Sequence, residues 1–324
     1  MAAAAAGAAV PIEVGGRTVR VSHPDRVYFP ATGATKLDLV RYYLAVGDGI
    51  VRALRERPCM LHRFPDGLAG EKVHQKRVPR GAPPWLQTVR VHFPRYDRNA
   101  DELCVTELAD VIWAVQMSTV EFHPWNSRRA DVEKPDEWRI DLDPMPDCGW
   151  DRVRRVAGVV HEILDELGAV GWPKTSGGRG LHVYVRIPPA HGFAEVRRAA
   201  LAFAREVERR APDDATTTWW RRDRDPAALF VDYNQNARDH TMAAAYSVRG
   251  VPTARVSAPI RWDEVDQVVP DDFTLETMPA RYRRLGDLHA GIDDAVFDLA
   301  PLLAWADRDD RDGIAAPPEP ERAE

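Results

Sequence analysis

Two aspartates stand one residue apart in the segment WRIDLDP, which runs from Trp138 to Pro144. If this segment is a β-strand, Asp141 and Asp143 point to one face, about 7 Å apart along the chain. Carboxylates this close repel each other, and a pair of hard divalent cations such as Mg²⁺ or Mn²⁺ would relieve the repulsion. Phosphoryl-transfer sites use two such ions about 4 Å apart. An exposed acidic strand end is the plainer interpretation, but the apolar residues around the pair and the proline after it disfavour that reading.

A glycine-rich segment, KTSGGRGLHVYV, extends from Lys174 to Val185. Its glycines permit positive φ angles and close approach of a ligand to the backbone; they are Gly177, Gly178 and Gly180. Ser176 offers a hydroxyl and Arg179 a fork-shaped cation for phosphate oxygens, and His182 follows on a predicted strand. The GxxxxGKS or GxxxxGKT pattern of a Walker A loop is absent. Alone the segment could equally be a glycine turn, but beside paired aspartates triphosphate binding is the better interpretation.

The third segment, LFVDYNQNARDHTMAAAYSVRG, spans Leu229 to Gly250. Asp232 ends an apolar strand, where its carboxylate could complete a metal site with the first two aspartates. Arg249 falls on what could be the next strand. Taken alone, the segment is a strand end followed by a polar loop. Taken together, three carboxylates, a glycine-rich loop and several cations predict nucleotidyl transfer with two metal ions.

A mixed set of helices and strands must position these residues. Apolar residues recur at helical spacing after Thr35, a predicted N-cap, and again over 151–168 and 194–210. The segment from 110 to 125 predicts a helix that runs into a short strand at 119–122. EWRIDLDP, LHVYVRI and LFVDY have strand patterns. The irregular order of these elements favours an α+β fold over a regular βαβ array.

Charge is unevenly distributed along the chain. The 324 residues carry a formal net charge of −6, but the part from Asp263 onward has 6 Lys and Arg against 17 Asp and Glu. The first 262 residues have 38 against 33, so the total charge does not exclude a nucleic-acid partner. Three isolated cysteines predict reduced thiols in a cytoplasmic protein. No segment is typical of a signal peptide or of a membrane span of about 20 apolar residues.

Biased composition at both ends predicts two tails. Residues 1–15 are predicted to be a disordered tail, as are residues 305–324, which are acidic and rich in proline and alanine. Such segments bury too little apolar surface to become ordered. Residues 16–304 lie between these two predicted tails.

The three motifs resemble a known family. DLDP, KTSGGRGLHVYV and VDYNQN…AAAYSVR are similar to the catalytic motifs of the archaeo-eukaryotic primase superfamily. More narrowly, they resemble the polymerase domain of bacterial ligase D and its stand-alone relatives in actinobacteria. HPDRVYFPATGATKLDLVRYY, RFPDG, QKRVPRGAPPWL and VEFHPW extend the resemblance over roughly Val21 to Asp266.

The resemblance implies roles for individual residues. The metal-binding acids are Asp141, Asp143 and Asp232. His123 matches a family histidine that lies close to the metals and the incoming nucleotide. Without the resemblance, His123 would be interpreted as a hydrogen-bonded structural histidine before a turn. The nucleotide contacts are Ser176, Gly177, Arg179, His182, Gln235, His240 and Arg249. Arg26 and Lys36 match two basic residues that hold a 5′-phosphate on downstream DNA in the family. From residue type alone, both would be interpreted as solvated surface charges.

Three positions depart from the family pattern, in two places. The aromatic pair that contacts template bases in the family is replaced by Val73 and His74, which weakens base stacking. A common lysine of the third motif is His240, which makes that triphosphate contact sensitive to pH. Neither change affects the three aspartates.

The resemblance implies that residues 16–304 form a primase-polymerase catalytic domain of two subdomains, without a ligase or nuclease domain. Its expected fold is a primase-type α+β core, with an N-terminal α/β part packed on an RRM-like sheet and the active site in the cleft between them. It implies a template-dependent nucleotidyltransferase with Mn²⁺ or Mg²⁺, an NTP or dNTP substrate with ribonucleotides favoured, and DNA as partner. Gap filling in non-homologous end joining, as a monomer with Ku and a separate ATP-dependent ligase, is the expected role. The alternatives are a primase that starts chains de novo and a non-catalytic DNA-end-binding module; the presence of all three acids disfavours the second.

Overall fold

The computed structural model describes residues 8–318 of the chain. The helices are α1 (Lys36–Ala45), α2 (Gly47–Leu54), α3 (Leu108–Gln116), α4 (Trp150–Leu167), α5 (Phe193–Arg210), α6 (Met278–Leu285) and α7 (Ala300–Arg311). The strands are β1 (Val10–Val14), β2 (Arg17–Val21), β3 (Val27–Phe29), β4 (Ala34–Thr35), β5 (Pro58–Arg63), β6 (Val73–Gln75), β7 (Thr88–Phe93), β8 (Arg98–Cys104), β9 (Thr119–Pro124), β10 (Ser127–Arg128), β11 (Asp131–Pro135), β12 (Glu137–Pro144), β13 (Trp172–Thr175), β14 (Leu181–Arg186), β15 (Ala215–Thr216) and β16 (Leu229–Val231). Within residues 8–318, no helix combines the length and apolar character that crossing a membrane requires.

The chain forms two compact units, each assembled from separate segments. The first unit comprises the chain up to Trp125 together with Ala243–Ala258 and Asp271–Asp287. The second unit comprises Asn126–Met242, Pro259–Pro270 and the chain from Leu288 onward. The predicted order of strands and helices after Trp138 therefore belongs to the second unit.

A five-stranded sheet organises the first unit. β5 pairs antiparallel with β6, β8 and β9, and β7 extends the sheet beyond β8. The register between β5 and β9 sets His62 opposite Glu121 and Met60 opposite His123. Because alternate residues of a strand share a face, Glu121 and His123 lie on the same side of the sheet.

The predicted helix after Thr35 is two helices, α1 and α2, separated at Val46. Thr35 is the N-cap, as predicted: its hydroxyl accepts from the N–H of Asp38 while the Asp38 carboxylate accepts from the N–H of Thr35. This capping box satisfies N–H groups that lack helical partners. The predicted helix before 119–122 is α3, and the strand after it is β9.

The second unit is built on a sheet in the order β13-β14-β12-β16-β15, in which only the β15–β16 pair is parallel. β12 carries the paired aspartates and is the central strand. Trp138, Ile140 and Leu142 are buried, and Trp138 packs edge-to-face on Phe203 of α5, 4.8 Å between ring centroids. The strand prediction is confirmed.

The helices of the second unit agree with the predicted spans. α4 ends at Gly168, whose φ of 67° lies in the left-handed region that favours glycine. α5 packs against α4 and against β12. Together they cover the apolar residues of the central strand.

The structure corrects both predicted tails. Residues 10–14 form β1, which pairs with β2 across a Gly15-Gly16 turn, because the segment VPIEV has alternating apolar residues that suit a strand. Residues 305–311 belong to α7, which packs on α5 and buries Leu302 and Ala306. Residues 1–7 and 319–324 lie outside the described residues.

The glycines of the KTSGGRG segment differ in what they do. Only Gly177 of the three has a positive φ, 67°. Gly180 is required by crowding, since a Cβ there would overlap the backbone carbonyl oxygen of Leu142 in the neighbouring strand. The close approach at Gly180 is therefore to β12 and not to a ligand.

Replacing Gly180 by alanine should push β14 away from the acid-bearing strand. We expect Gly180→Ala to lower the free energy of unfolding by about 1–3 kcal/mol, measured by chemical denaturation. The matched control is Gly158→Ala in α4, where a Cβ meets nothing within 4 Å and helix propensity predicts a gain of about 0.5–1 kcal/mol. Equal stability of the two variants would contradict the crowding at Gly180.

Candidate active site

The three predicted acids meet at neighbouring strand ends. β12 pairs with β14 on one side, where Asp141 stands opposite His182, and with β16 on the other, where Asp143 stands opposite Phe230. The N–H of Asp232, directly after β16, donates to the carbonyl oxygen of Asp141 at 2.8 Å. Strand pairing thus joins residues that are about ninety positions apart in the sequence.

Local hydrogen bonds orient the Asp232 carboxylate. Its Oδ1 accepts from the N–H of Asn234 and its Oδ2 from the side-chain amide of Gln235, both at 2.9 Å. Arg197 donates to the Asn234 side-chain oxygen at 3.0 Å. Gln235, predicted to contact nucleotide, is therefore held on an acid in this structure.

Asp143 is exposed, yet its surroundings raise the pKa of its carboxyl group. Loss of hydration raises the pKa of Asp143, and the negative charge of Asp232 raises it further. The positive charges of Arg221, Arg179 and Arg224 act in the opposite direction. Asp143 and Asp232 therefore repel each other, and nearby arginines partly offset the repulsion.

A pocket of about 610 Å³ opens beside these acids. Its lining combines acids, cations, amides and aromatics from the second unit; the residues are Asp143, Trp219, Trp220, Arg221, Arg224, Phe230, Asp232, Asn234, Gln235, His240 and Pro318. Trp220 is 54% exposed. The WWRRDR segment was not predicted from the sequence as part of a site, although its adjacent tryptophans and arginines were a usable signal.

The glycine-rich loop is shaped by its own serine and arginine. Ser176 is buried, and its hydroxyl oxygen accepts from the N–H groups of Gly178 and Gly180 at 3.0 and 3.1 Å. Arg179 donates to the carbonyl oxygens of Pro144 and Pro146, at 2.7 and 3.0 Å. The loop is thereby fastened to the end of the acid-bearing strand.

His182 connects this loop to the acids. The ring is buried, with Nε2 3.3 Å from Asp141 Oδ1 and Nδ1 2.7 Å from the Nζ of Lys174. Asp141 and Lys174 are its direct neighbours on the two flanking strands. The structure therefore places His182 between Asp141 and Lys174.

In the first unit, the buried carboxylate of Glu121 gathers two histidines and an arginine. Its Oε2 lies 3.0 Å from His62 Nδ1, 2.8 Å from His123 Nε2 and 3.3 Å from Arg249 Nε. Its Oε1 accepts from the N–H of Gly250 at 2.7 Å. Glu121 was missed from the sequence because the EFHPW motif drew attention to its histidine alone.

Burial and hydrogen bonding set the charges in this cluster. Burial lowers the pKa of His123 to about 3, although Glu121 opposes the shift, so the ring is neutral at pH 7. The hydrogen bonds from His123 and His62, with the charge of Arg249, outweigh burial and hold the pKa of Glu121 well below its usual value. The His62 ring stacks on His123 at 3.8 Å and lies 4.5 Å from the ring of His74.

Ligand atoms of His62, Glu121 and His123 all lie within 4.8 Å of one another, so this buried group could hold a metal ion. Neutral imidazoles and an ionised carboxylate are suitable ligands. Arg249 lies against the same carboxylate oxygen, however, and its charge opposes a divalent cation there.

The two predicted 5′-phosphate residues differ in accessibility. Arg26 is half-buried, and its guanidinium donates to the Pro65 carbonyl oxygen and lies 3.4 Å from Asp66. Lys36 is only 3% exposed, and its ammonium donates to Ser22 O and to Gln116 O and Oε1, at 3.0, 2.6 and 2.9 Å. The interpretation of Lys36 as a solvated surface charge is therefore wrong.

Carboxylates on adjacent strands of a mixed α and β core, beside a glycine-rich loop and an arginine-lined pocket, define the primase-polymerase class of nucleotidyltransferases. Comparison with known proteins agrees. Residues 35–289 match the family described as LigD, primase-polymerase domain, and the chain belongs to this family.

Three relatives illustrate the match. The multifunctional non-homologous end joining protein LigD of Pseudomonas aeruginosa is 36% identical over 82% of this chain, and the protein of the same name from Mycolicibacterium smegmatis is 29% identical over 85%. The chain spans 32% and 36% of their lengths, about a third. The solved polymerase domain of Mycobacterium tuberculosis ligase D in complex with DNA is 28% identical, with a TM-score of 0.79 over 85% of this chain and 98% of that one. The expected family and fold class are confirmed.

Replacing Glu121 by glutamine should disrupt the first unit's polar cluster. A glutamine has one acceptor oxygen and directs an N–H₂ group at donors, so buried donors lose their partner. We expect Glu121→Gln to destabilise the protein by about 1–3 kcal/mol in chemical denaturation.

Glu13→Gln is the matched control, because Glu13 is exposed on β1 and accepts from the Thr18 hydroxyl. Surface changes of this kind cost about 0.5 kcal/mol or less. A Glu121→Gln protein as stable as the Glu13→Gln protein would refute the central role of Glu121.

Proposed function

We propose that this chain is a template-dependent nucleotidyltransferase that fills short gaps or extends DNA ends in non-homologous end joining. The observation that carries the proposal is the meeting of Asp141, Asp143 and Asp232 at neighbouring strand ends, beside an arginine-lined pocket. Relatives named for non-homologous end joining, and a solved polymerase domain in complex with DNA, support this choice of pathway and partner.

The chemistry of the three aspartates fits two divalent cations, Mn²⁺ or Mg²⁺. Carboxylate oxygens are the ligands that these ions prefer, and the repulsion between Asp143 and Asp232 would be relieved by positive charge. When bound, the ions would lower the pKa of the primer 3′-hydroxyl and neutralise the triphosphate. The Glu121 cluster fits such ions less well because of Arg249.

Arginine side chains near the acids are proposed to bind the triphosphate. Arg179, Arg221 and Arg224 already act on the charge of Asp143, and we assign them to the charge that develops on the triphosphate. His182 would donate a hydrogen bond to the same oxygens. The remaining assigned nucleotide contacts follow the family resemblance; they are His123, Ser176, Gly177, Gln235, His240 and Arg249.

The substrate proposal includes the DNA end itself. Arg26 and Lys36, with Arg63, form a cationic group close enough that Arg26 and Arg63 lower the pKa of Lys36. Such a group suits a 5′-phosphate on the downstream strand. On the family resemblance, ribonucleotides are favoured over deoxynucleotides, the protein acts in the cytoplasm as a monomer, and Ku and an ATP-dependent DNA ligase are its partners.

Removing the acid pair should abolish nucleotide addition. On a gapped duplex, we expect Asp141→Ala/Asp143→Ala to lose primer extension by at least 10³-fold while retaining most DNA binding, because the arginines and lysines remain. Asp147→Ala is the matched control, since Asp147 is an exposed carboxylate just beyond the same strand.

The same assay should compare rNTPs with dNTPs and Mn²⁺ with Mg²⁺. Extension by the double variant at the wild-type rate would overturn the assigned chemistry. Efficient synthesis on an unprimed single strand, with weak gap filling, would favour the primase alternative.

The 5′-phosphate site should depend on pH through Lys36. Burial lowers the pKa of Lys36 to about 8, and the charges of Arg26 and Arg63 contribute to the shift. The side chain is therefore positively charged below pH 8 and loses this charge as the pH rises. We expect tighter binding of phosphate-ended than of hydroxyl-ended gapped DNA at pH 7.2. This advantage should fall about tenfold by pH 9.5, as measured by fluorescence anisotropy.

The phosphate keeps its full charge over this range, so the decline reports on the protein. Lys36→Met should remove both the advantage and its pH dependence. An advantage that stays constant from pH 7.2 to 9.5 in the wild type would exclude Lys36 from the phosphate site.

A further inference from the structure

A buried lysine stands behind His182. Lys174, His182 and Asp141 occupy directly opposite positions on the adjacent strands β13, β14 and β12. Lys174 has no exposed surface, and His182 and Asp141 are 6% and 9% exposed. Directly opposite residues of antiparallel strands share a face, so the three side chains form one row across the sheet.

The distances between these side chains indicate which groups donate hydrogen bonds and which accept them. The Lys174 Nζ lies 2.7 Å from His182 Nδ1, and His182 Nε2 lies 3.3 Å from Asp141 Oδ1. A lysine ammonium has three N–H donors and no acceptor. With Lys174 taken as protonated, the ring nitrogen that faces it accepts, which requires an unprotonated Nδ1.

We propose that Lys174 is a positioning residue that fixes the tautomer of His182. With Nδ1 occupied as an acceptor, the ring carries its proton on Nε2, the nitrogen that faces Asp141. In the opposite tautomer an Nε2 lone pair would face the carboxylate, and the Nδ1–H would face the ammonium. Both contacts would be repulsive.

The consequence for the active site rests on the proposed function. His182 is assigned to triphosphate oxygens, which accept hydrogen bonds. Nε2–H is then the ring's donor on the Asp141 side, and a bound triphosphate would share it with Asp141. A buried lysine is costly where apolar packing could replace it. Its placement in β13 is understandable if the donor orientation of His182 depends on it.

A cation–π contact between Lys174 and Tyr184 fits this arrangement. The Lys174 Nζ lies 5.0 Å from the centroid of the Tyr184 ring, two residues from His182 on the same face of β14. A cation over an aromatic ring is stabilised by the electron density of its face. Tyr184 therefore helps to keep the ammonium pointed at Nδ1.

The test is the protonation pattern of the His182 ring in the full chain. Protein labelled with ¹⁵N-histidine is studied by long-range ¹H–¹⁵N correlation NMR without added metal, and His182→Gln assigns the signal. We expect the wild type to show protonated Nε2 and unprotonated Nδ1. A proton on Nδ1 would overturn the proposal.

Lys174→Met keeps the size of the side chain and removes the donor. We expect the His182 proton to move partly or wholly to Nδ1 in this variant, with the KM for nucleotide raised about tenfold. Lys134→Met is the matched control, because the Lys134 ammonium donates to Ala190 O. An unchanged tautomer in Lys174→Met, or the same shift in Lys134→Met, would refute the role of Lys174.

These readouts separate the two proposals. If the wild type fails to add nucleotides, the proposed function fails, whereas the NMR result still decides whether Lys174 sets the tautomer. If Lys174→Met does not fold, a proton on Nδ1 in the wild type would still overturn the proposal.

Discussion

The pairing of β12 with a strand on each side is the constraint on which the acid site depends. The registers of β13 with β14 and of β14 with β12 align Lys174, His182 and Asp141 in one row. On the other side, the N–H of Asp232 bonds to the carbonyl of Asp141. A slip of one residue in either register would turn an acid or the histidine to the opposite face of the sheet. Gly180 limits such a slip, since only a residue without a side chain fits against Leu142.

The two units differ in how far the negative charge of their carboxylates is compensated. In the second unit, Asp143 and Asp232 repel each other and the arginines around them offset only part of the repulsion. In the first unit, the single carboxylate of Glu121 is surrounded by donors from two histidines, an arginine and a backbone amide. The first arrangement retains capacity for additional positive charge, whereas the second is already compensated. This contrast supports the proposal that divalent cations bind at the aspartates.

Much of the fold and the acid site could be predicted from local sequence. The spans of β12, α4 and α5 follow from periodicity and from stop signals such as Pro144 and Gly168. The placement of Asp232 beside the paired aspartates agrees with its predicted position at the end of an apolar strand. These features depend on residues that are close together in the chain.

What was missed depends on residues that are far apart in the chain. Glu121 looked like an ordinary strand residue until pairing set it opposite His62. Lys36 looked exposed because lysines usually are, but three oxygens from other elements satisfy its ammonium inside the protein. The N-terminal strand β1 was taken for a tail because its partner β2 could not be identified from composition alone. Register and burial are outcomes of tertiary packing, and residue type alone does not report them.

The interleaved segments of the two units bear on how the chain folds as it is synthesised. The first unit needs residues as late as Asp287, and the second includes α7, which ends at Arg311. Neither core can therefore be completed while the ribosome is still making the middle of the chain. At about 5–20 residues per second, the exposed β5 and β12 strands wait many seconds for their last packing partners. Chaperone demand during translation, and poor yields of fragments cut at Trp125 or Met242, follow from this topology.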